Sequence, residues 1–487
     1  MQPETRNIME TAFEHAVSYR ENVDASNPYP TASAGQLRKL FDTGLPEKGR
    51  AGEDVISHLV RAASPGLMGT SSKNFYGWVM GSSHPVGVAA DWLTSAWGQN
   101  PAVYQTAPSA AIAEEVAGNW LIDLLDLPRQ SSIAFSTGAT MSSFICLAAA
   151  RSEVMLRHGW DLEADGVFGA PEISVLLSEE AHSTIFAVLR YLGFGTNRLI
   201  KVAADENGAM NSSNLARKLE ICSGPKIVIA QAGHINSGAF DDFEEIARLA
   251  SIHRAWMHVD GAFGLWARTS PDLKHHCDGI DLADSWSVDG HKWLQVPYDS
   301  GYAIVKHPQA HRRAMTNSAD YLNVSETDGR NPTHYGPELS RRARGFTVWA
   351  MLQALGREGI AQLVEDSCRN TQYLAGKLCK VPGISILHGV SLNQLAITFE
   401  ACTSNVNDNR DNDEITLETI SCLQANQRWF VKDARWKDRA ILRISLSSMP
   451  NDDGEINEFG EAIIDAYAAA RAKIRAQKIC KYATNII

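Results

Sequence analysis

From residue 131 onward the chain alternates short apolar runs with stretches of helical periodicity. The runs Ser132–Phe135, Ile173–Ser178, Arg198–Lys201, Lys226–Ala230, Ala255–Val259, Ser285–Val288 and Gly301–Val305 have strand length. Helical patterns fit between several of them, over Met141–His158, His182–Leu192 and Phe243–His253. Such alternation predicts an α/β domain built on a mostly parallel sheet with helices on both faces. Ligands of such sheets bind at the carboxyl ends of the strands, and the chemically suggestive residues of this chain fall there.

The flanking regions read differently. Residues 7 to 21 fit a helix, followed by the loop Asn27-Pro28-Tyr29-Pro30. Ile112, Val116, Trp120, Leu121, Leu124 and Leu125 give residues 109 to 127 a helical spacing that Pro128 stops. Towards the C-terminus, candidate strands Gln394–Glu400 and Ala440–Leu446 flank the Asn/Asp-rich loop Thr403–Asp413 and a helix from about Glu414, an α+β pattern. A chain of 487 residues is too long for one small core. The expected division is an N-terminal helical segment (1–88), a large domain (89–370) and a small α+β C-terminal domain (371–487).

A formal net charge of -11 argues against a nucleic-acid surface. The densest basic run, Arg341-Arg342-Ala343-Arg344, reads as a helix start or a local ion-pair site. The eight cysteines are scattered from Cys146 to Cys480 without a Cys-x-x-Cys, which favours reduced thiols and a cytoplasmic protein. The N-terminus lacks a signal pattern, and no apolar run reaches the roughly 18 residues that span a bilayer. His275-His276-Cys277 reads as a polar surface segment, so no metal is expected.

His291-Lys292 sits in a stretch of apolar and small residues. Burial there would push the lysine pKa down and make its neutral amine a nucleophile. Asp260 ends the preceding apolar run, in His258-Val259-Asp260-Gly261-Ala262. An acid on one strand end and a lysine after the next is the pairing that pyridoxal phosphate needs: the acid holds the pyridinium proton, the lysine the aldehyde. Ser136-Thr137-Gly138-Ala139-Thr140 follows a strand and opens a helix, where unpaired N–H groups and small residues suit a phosphate. A nicotinamide-dependent reductase would want Gly-x-Gly-x-x-Gly after the first strand, and Ser136–Thr140 lacks those glycines.

His258-Val259-Asp260, with Asp284-Ser285 and His291-Lys292-Trp293-Leu294 further on, resembles the group II pyridoxal phosphate-dependent amino acid decarboxylases, which include the glutamate and aromatic amino acid enzymes. The likeness runs from about Asn74 to about Met449. It implies a fold-type I architecture and a homodimer with interface active sites, the N-terminal segment packing across the partner. It implies decarboxylation of an L-amino acid to amine and CO2. By the resemblance, Gly138, Ala139 and Thr140 hold the cofactor phosphate and His182 stacks on the pyridine ring. Asp260 contacts the ring nitrogen and Ala262 lies against the ring. Lys292 forms the Schiff base, with Asp289 and His291 beside it. A loop tyrosine in Asn317–Arg344, first Tyr335 and second Tyr321, returns the proton to the substrate. Phe75, Trp78 and Tyr104 match pocket segments.

Three departures mark a divergent branch. Asp260-Gly261-Ala262 stands for Asp-Ala-Ala, and Asp289-Gly290-His291-Lys292 for Asn-Pro-His-Lys. Gly233-His234-Ile235 replaces Gly-Thr-Thr, removing a hydroxyl for which Asn236 or Ser237 could substitute. Two other reactions fit the same cofactor. A carbon–carbon lyase of the sphingosine phosphate lyase kind shares Asp-x-His-Lys, and an aldehyde synthase alters the loop tyrosine.

Overall fold

The computed structural model describes residues 3–316, 329–401, 409–448 and 451–484. The chain forms two compact units, Gly81–Ala375 with Ile386–Ala396, and Met1–Met80 with Gly376–Ser385 and Ile397–Ile487.

The second-named unit opens with α1 (Pro3–Asn22), α2 (Ala34–Phe41) and α3 (Gly52–Ala63). Ser33 caps α2 in a capping box with Gln36, which satisfies two backbone donors at the helix start. Phe75 stacks on Phe430 at 4.3 Å and Tyr76 on Phe459 at 4.0 Å, so the two rings anchor this unit's core.

The larger unit begins with α4 (Pro85–Trp97) and α5 (Pro108–Leu124). Its sheet uses β1 (Ser132–Ser136), β2 (Ser174–Ser178), β3 (Ile200–Val202), β4 (Lys226–Gln231), β5 (Trp256–Asp260), β6 (Ser285–Asp289) and β7 (Gly301–Val305). All seven expected strands are present, within two residues of their expected bounds. The strand order is β1-β7-β6-β5-β4-β2-β3. Only β7 runs against the rest, pairing antiparallel with both β1 and β6. Helix α6 (Ala139–Leu156) follows β1, with the short α7 (Leu162–Asp165) after it, and α8 (Ser183–Tyr191) and α9 (Ser212–Ile221) follow β2 and β3. Next come α10 (Phe243–Ile252), α11 (Pro308–Met315) and α12 (Arg344–Leu378), the last broken at Gly356.

Helix α6 lies along β5, β6 and β7, and its Ile145, Leu147 and Ala149 join Leu177, Ile229 and Trp256 in one core. Strands β1, β4, β5 and β6 are buried along their whole length, as expected for a sheet covered on both faces.

Towards the C-terminus a four-stranded sheet takes the order β10-β11-β9-β8, from β8 (Ile384–Ile386), β9 (Gln394–Phe399), β10 (Lys432–Trp436) and β11 (Arg439–Ser445). The helices α13 (Asn409–Ala425) and α14 (Asp453–Thr484) pack on each other. Helix α13 starts at Asn409 where the sequence suggested a loop to Asp413. Asn412 and Asp413 hold it by accepting the backbone N–H groups of Ala401 and Ala440. Among the described residues no helix is long and apolar enough to cross a membrane.

Candidate active site

Register brings the site together. Gln231, the last residue of β4, lies opposite Asp260, the last of β5, and Asp260 lies opposite Ser287 of β6. Asp289 ends β6 opposite Gly301, and Gly301 lies opposite Ser136 at the end of β1. The turn from β1 to α6 therefore crosses the start of β7 and meets Asp289. Two glycines permit this approach. A Cβ on Gly301 would strike the Gly138 backbone, and a Cβ on Gly138 would come within 3.0 Å of the His291 ring and 3.2 Å of Asp289 Oδ1. Gly81 supports the lysine turn from below, since a side chain there would collide with the carbonyls of His291 and Lys292.

These strand ends enclose a cleft of about 310 Å³. Its walls include all nine residues expected to hold the cofactor: Gly138, Ala139 and Thr140 at the start of α6; His182, Asp260 and Ala262; and Asp289, His291 and Lys292.

The charges in the cleft are tightly coupled. Burial raises the proton affinity of Asp260, opposed by the nearby His182 and Lys292. Its Oδ1 accepts the Ala262 N–H at 3.2 Å. The Lys292 ammonium is not left among apolar groups as the sequence suggested. It pairs with Asp289 Oδ2 at 2.9 Å and lies 5.7 Å from the Phe263 ring centre. Asp289 Oδ1 also accepts the Ala139 N–H at 2.6 Å and approaches His291 Nε2 at 3.3 Å. Burial pushes the His291 pKa down, although Asp289 pulls it the other way. Tyr298 stacks on His291 with ring centres 4.3 Å apart, and burial pushes its hydroxyl up to about 12. His182 caps α8; its Nδ1 meets Thr184 Oγ1 at 2.7 Å, and its N–H donates to Gln231 Oε1 at 3.1 Å.

A profile of the pyridoxal-dependent decarboxylase conserved domain matches residues 34–400. This chain belongs to that family. It is 30% identical over 434 residues to the L-2,4-diaminobutyrate decarboxylase of Rhizobium meliloti, covering 86% of this chain and 82% of that one. It is 25% identical to the aromatic-L-amino-acid decarboxylase of Bacillus atrophaeus over 448 residues, 91% of each chain. The crystal structure of Oryza sativa TDC with PLP and tryptamine superimposes with a TM-score of 0.89 at 20% identity, covering 96% of this chain and 99% of that one. The fold is that of the fold-type I pyridoxal phosphate enzymes, and the decarboxylase takes pyridoxal 5'-phosphate as cofactor. The cleft fits it, with a buried acid, a lysine and a glycine-lined helix start on one cavity.

Other candidate residues of the decarboxylase lie elsewhere. Tyr335, expected over the cleft, does not line it. Its ring packs in the sheet core under the Arg330 guanidinium at 4.0 Å, and its carbonyl lies 2.8 Å from His311 Nε2. The physical reason is that Pro332–His334 turn as a short helix and direct the tyrosine inward. Tyr321 lies outside the described residues. Phe75 and Trp78 pack around Phe430, and Tyr104 does not line the cleft. Ser237, a suggested substitute hydroxyl, bonds the Asn207 carbonyl and lies 3.0 Å from His234 Nδ1. His234 itself is buried against Glu180 at 3.1 Å. Thr184 is among the hydroxyl side chains that do line the cleft.

Gln231, Phe263 and Tyr298 also line the cleft and were missed in the sequence. Gln231 had a signal, since it ends a parallel strand as Asp260 and Asp289 do. Tyr298 had none, because it lies on a loop whose course no periodicity fixes. The basic run resolves as ion pairs. Arg341 grips Glu114 with two bonds of 2.7 and 2.6 Å, Arg342 pairs with Asp91 at 2.7 Å, and Arg344 starts α12 against Asp299 at 2.8 Å.

Proposed function

We propose that this decarboxylase converts an L-amino acid to its amine and CO2, with Lys292 as the residue that carries the cofactor. The reading rests on one observation: Asp260 and Lys292 face a common cleft beside the start of α6. Bound there, pyridoxal phosphate supplies an electron sink for the pair released when a bond to Cα breaks.

The rest falls to the chain's own groups. The N–H groups of Gly138, Ala139 and Thr140 and the Thr140 hydroxyl would hold the phosphate. Asp260, buried and with raised proton affinity, holds a proton at the pyridine nitrogen and keeps the sink effective. His182 and Ala262 confine the ring from its two faces, and the imidazole also orients the substrate carboxylate. By holding the substrate carboxylate in place, these groups would select which bond to Cα breaks. Lys292 delivers the proton to Cα, because Tyr335 lies under Arg330 rather than at this cleft.

A homodimer accounts for the exposed Trp92, Trp97, Trp120 and Trp349 on α4, α5 and α12, which present more aromatic surface than a monomer ordinarily leaves in water. Cys146, Cys222, Cys277, Cys368, Cys379 and Cys422 are free thiols, in keeping with a cytoplasmic protein.

Incubation with a panel of aromatic, acidic and basic L-amino acids, with amine and CO2 both quantified, tests the activity. Stoichiometric amine and CO2 from one of them is the expected result. Aldehyde with ammonia, or cleavage without CO2, would replace it with one of the other two reactions. Sedimentation at micromolar concentration tests the dimer.

A further inference from the structure

The Asp289 carboxylate occupies the anion-binding position at the start of α6. Its Oδ1 takes the Ala139 N–H at 2.6 Å, and its Oδ2 takes the Lys292 ammonium at 2.9 Å. Those are the donor and the cation that the proposed cofactor site must engage. The carboxylate has little room to leave. It is 3% exposed, a Cβ on Gly138 would already touch it, and the Trp266 indole fixes the strand end by donating to the Asp289 carbonyl at 3.0 Å.

From these contacts we infer that Asp289 is the resident anion of the α6 N-terminus and takes up one proton when a phosphate ester binds beside it. The inference rests on the assignment of Gly138, Ala139 and Thr140 to the phosphate. A phosphate dianion and a carboxylate that compete for one helix start repel each other in a desolvated place. Protonation removes the repulsion and turns the carboxyl into a donor, with solvent supplying the proton.

The surroundings leave few other ways to settle the charge. Lys292 and His291 face Asp289 from the turn after β6, and Asp260 from β5 adds a second acid. Tyr302 of β7 and Tyr298 are both held protonated by burial and sense the same carboxylate.

The sign follows directly. A bound state that needs an extra proton is favoured at low pH, so phosphate-ester affinity falls as pH rises. An Asn at this position keeps the hydrogen bond from Ala139 and carries no charge.

Calorimetric titration of cofactor-free protein with deoxypyridoxine phosphate, which has no aldehyde, tests this without turnover. Between about pH 6.5 and about pH 8.5, the wild type is expected to lose about a hundredfold more affinity than Asp289→Asn, one proton over two pH units. Infrared difference spectra of the wild type at the higher pH are expected to gain a protonated-carboxyl band on binding, which Asp289→Asn lacks. Parallel pH profiles, or a wild-type spectrum without that band, would overturn the inference and leave the phosphate assignment standing. Binding by neither protein at either pH would overturn both.

Discussion

Two clusters of buried charge in the larger unit behave in opposite ways. At the base of residues 329–344, Glu114 is 1% exposed and Arg341 5%, and they meet through two short bonds. Arg330 adds a bond to the Ile133 carbonyl and lies over Tyr335. Arg341 and Glu114 neutralise each other as a pair, and the Ile133 and Phe135 carbonyls accept from Arg330 and Arg341. In the cleft, by contrast, two carboxylates, Asp260 and Asp289, share one lysine, and Asp260 is raised in proton affinity as a result of its burial. A closed ion pair holds elements in place. An unbalanced one beside a cavity stores a demand for a ligand or a proton, which is how functional carboxylates differ from structural ones.

That contrast can be broken most decisively at Lys292. Lys292→Ala should abolish the visible absorbance of the cofactor-loaded protein and its turnover together; a variant with an unchanged spectrum would remove the lysine from its role. Asp260→Ala should come next, keeping the chromophore while kcat falls by about a hundredfold or more. Activity equal to the wild type would show that Asp260 is no more functional than Glu114.

The structural cluster should respond in stability instead. Glu114→Gln leaves Arg341 buried without its carboxylate and should cost about 3 kcal/mol of unfolding free energy in urea. The folded fraction should still bind cofactor, and a selective loss of cofactor affinity would erase the distinction between the two clusters.

The smallest expected effect is on pH dependence near the same base. Burial pushes His311 down to about 3 from 6.5, its ring lying between Ser132 Oγ and the Tyr335 carbonyl. A base whose folded pKa is depressed gives stability that is complete above 6.5 and lost as pH falls toward 3. His311→Gln should flatten that acid slope by up to about 1.4 kcal/mol per pH unit, read from urea midpoints. An unchanged slope would leave the acid lability to His258, which burial likewise lowers to about 3.

The sheet was legible because each strand is short, apolar and bounded, and a two-sided buried strand needs no finer pattern. The cofactor residues were legible because they sit at strand ends, where register alone places them. Asp289 shows where legibility stopped. Its place beside His291 and Lys292 is plain from the chain order, but its bond to Ala139 depends on β7 bringing β1 across, a pairing between residues far apart in the chain. Tyr335 failed for a similar reason. By the resemblance the loop Asn317–Arg344 supplies a tyrosine to the site, whereas Arg330 and His311 draw Tyr335 inward. His234 turned out to answer Glu180 and Ser237, partners that no spacing pattern connects to it.

The reversed strand β7 has a consequence for how the protein is made. It is inserted between β1 and β6, so the start of α6 cannot meet Asp289 and Lys292 until Gly301–Val305 has been synthesised and has zipped into place. A ribosome-bound chain that stops short of β7 holds the lysine and the glycine turn on unconnected strands. Cofactor capture is therefore a late event in biogenesis, and it marks chains in which these distant pairings have closed.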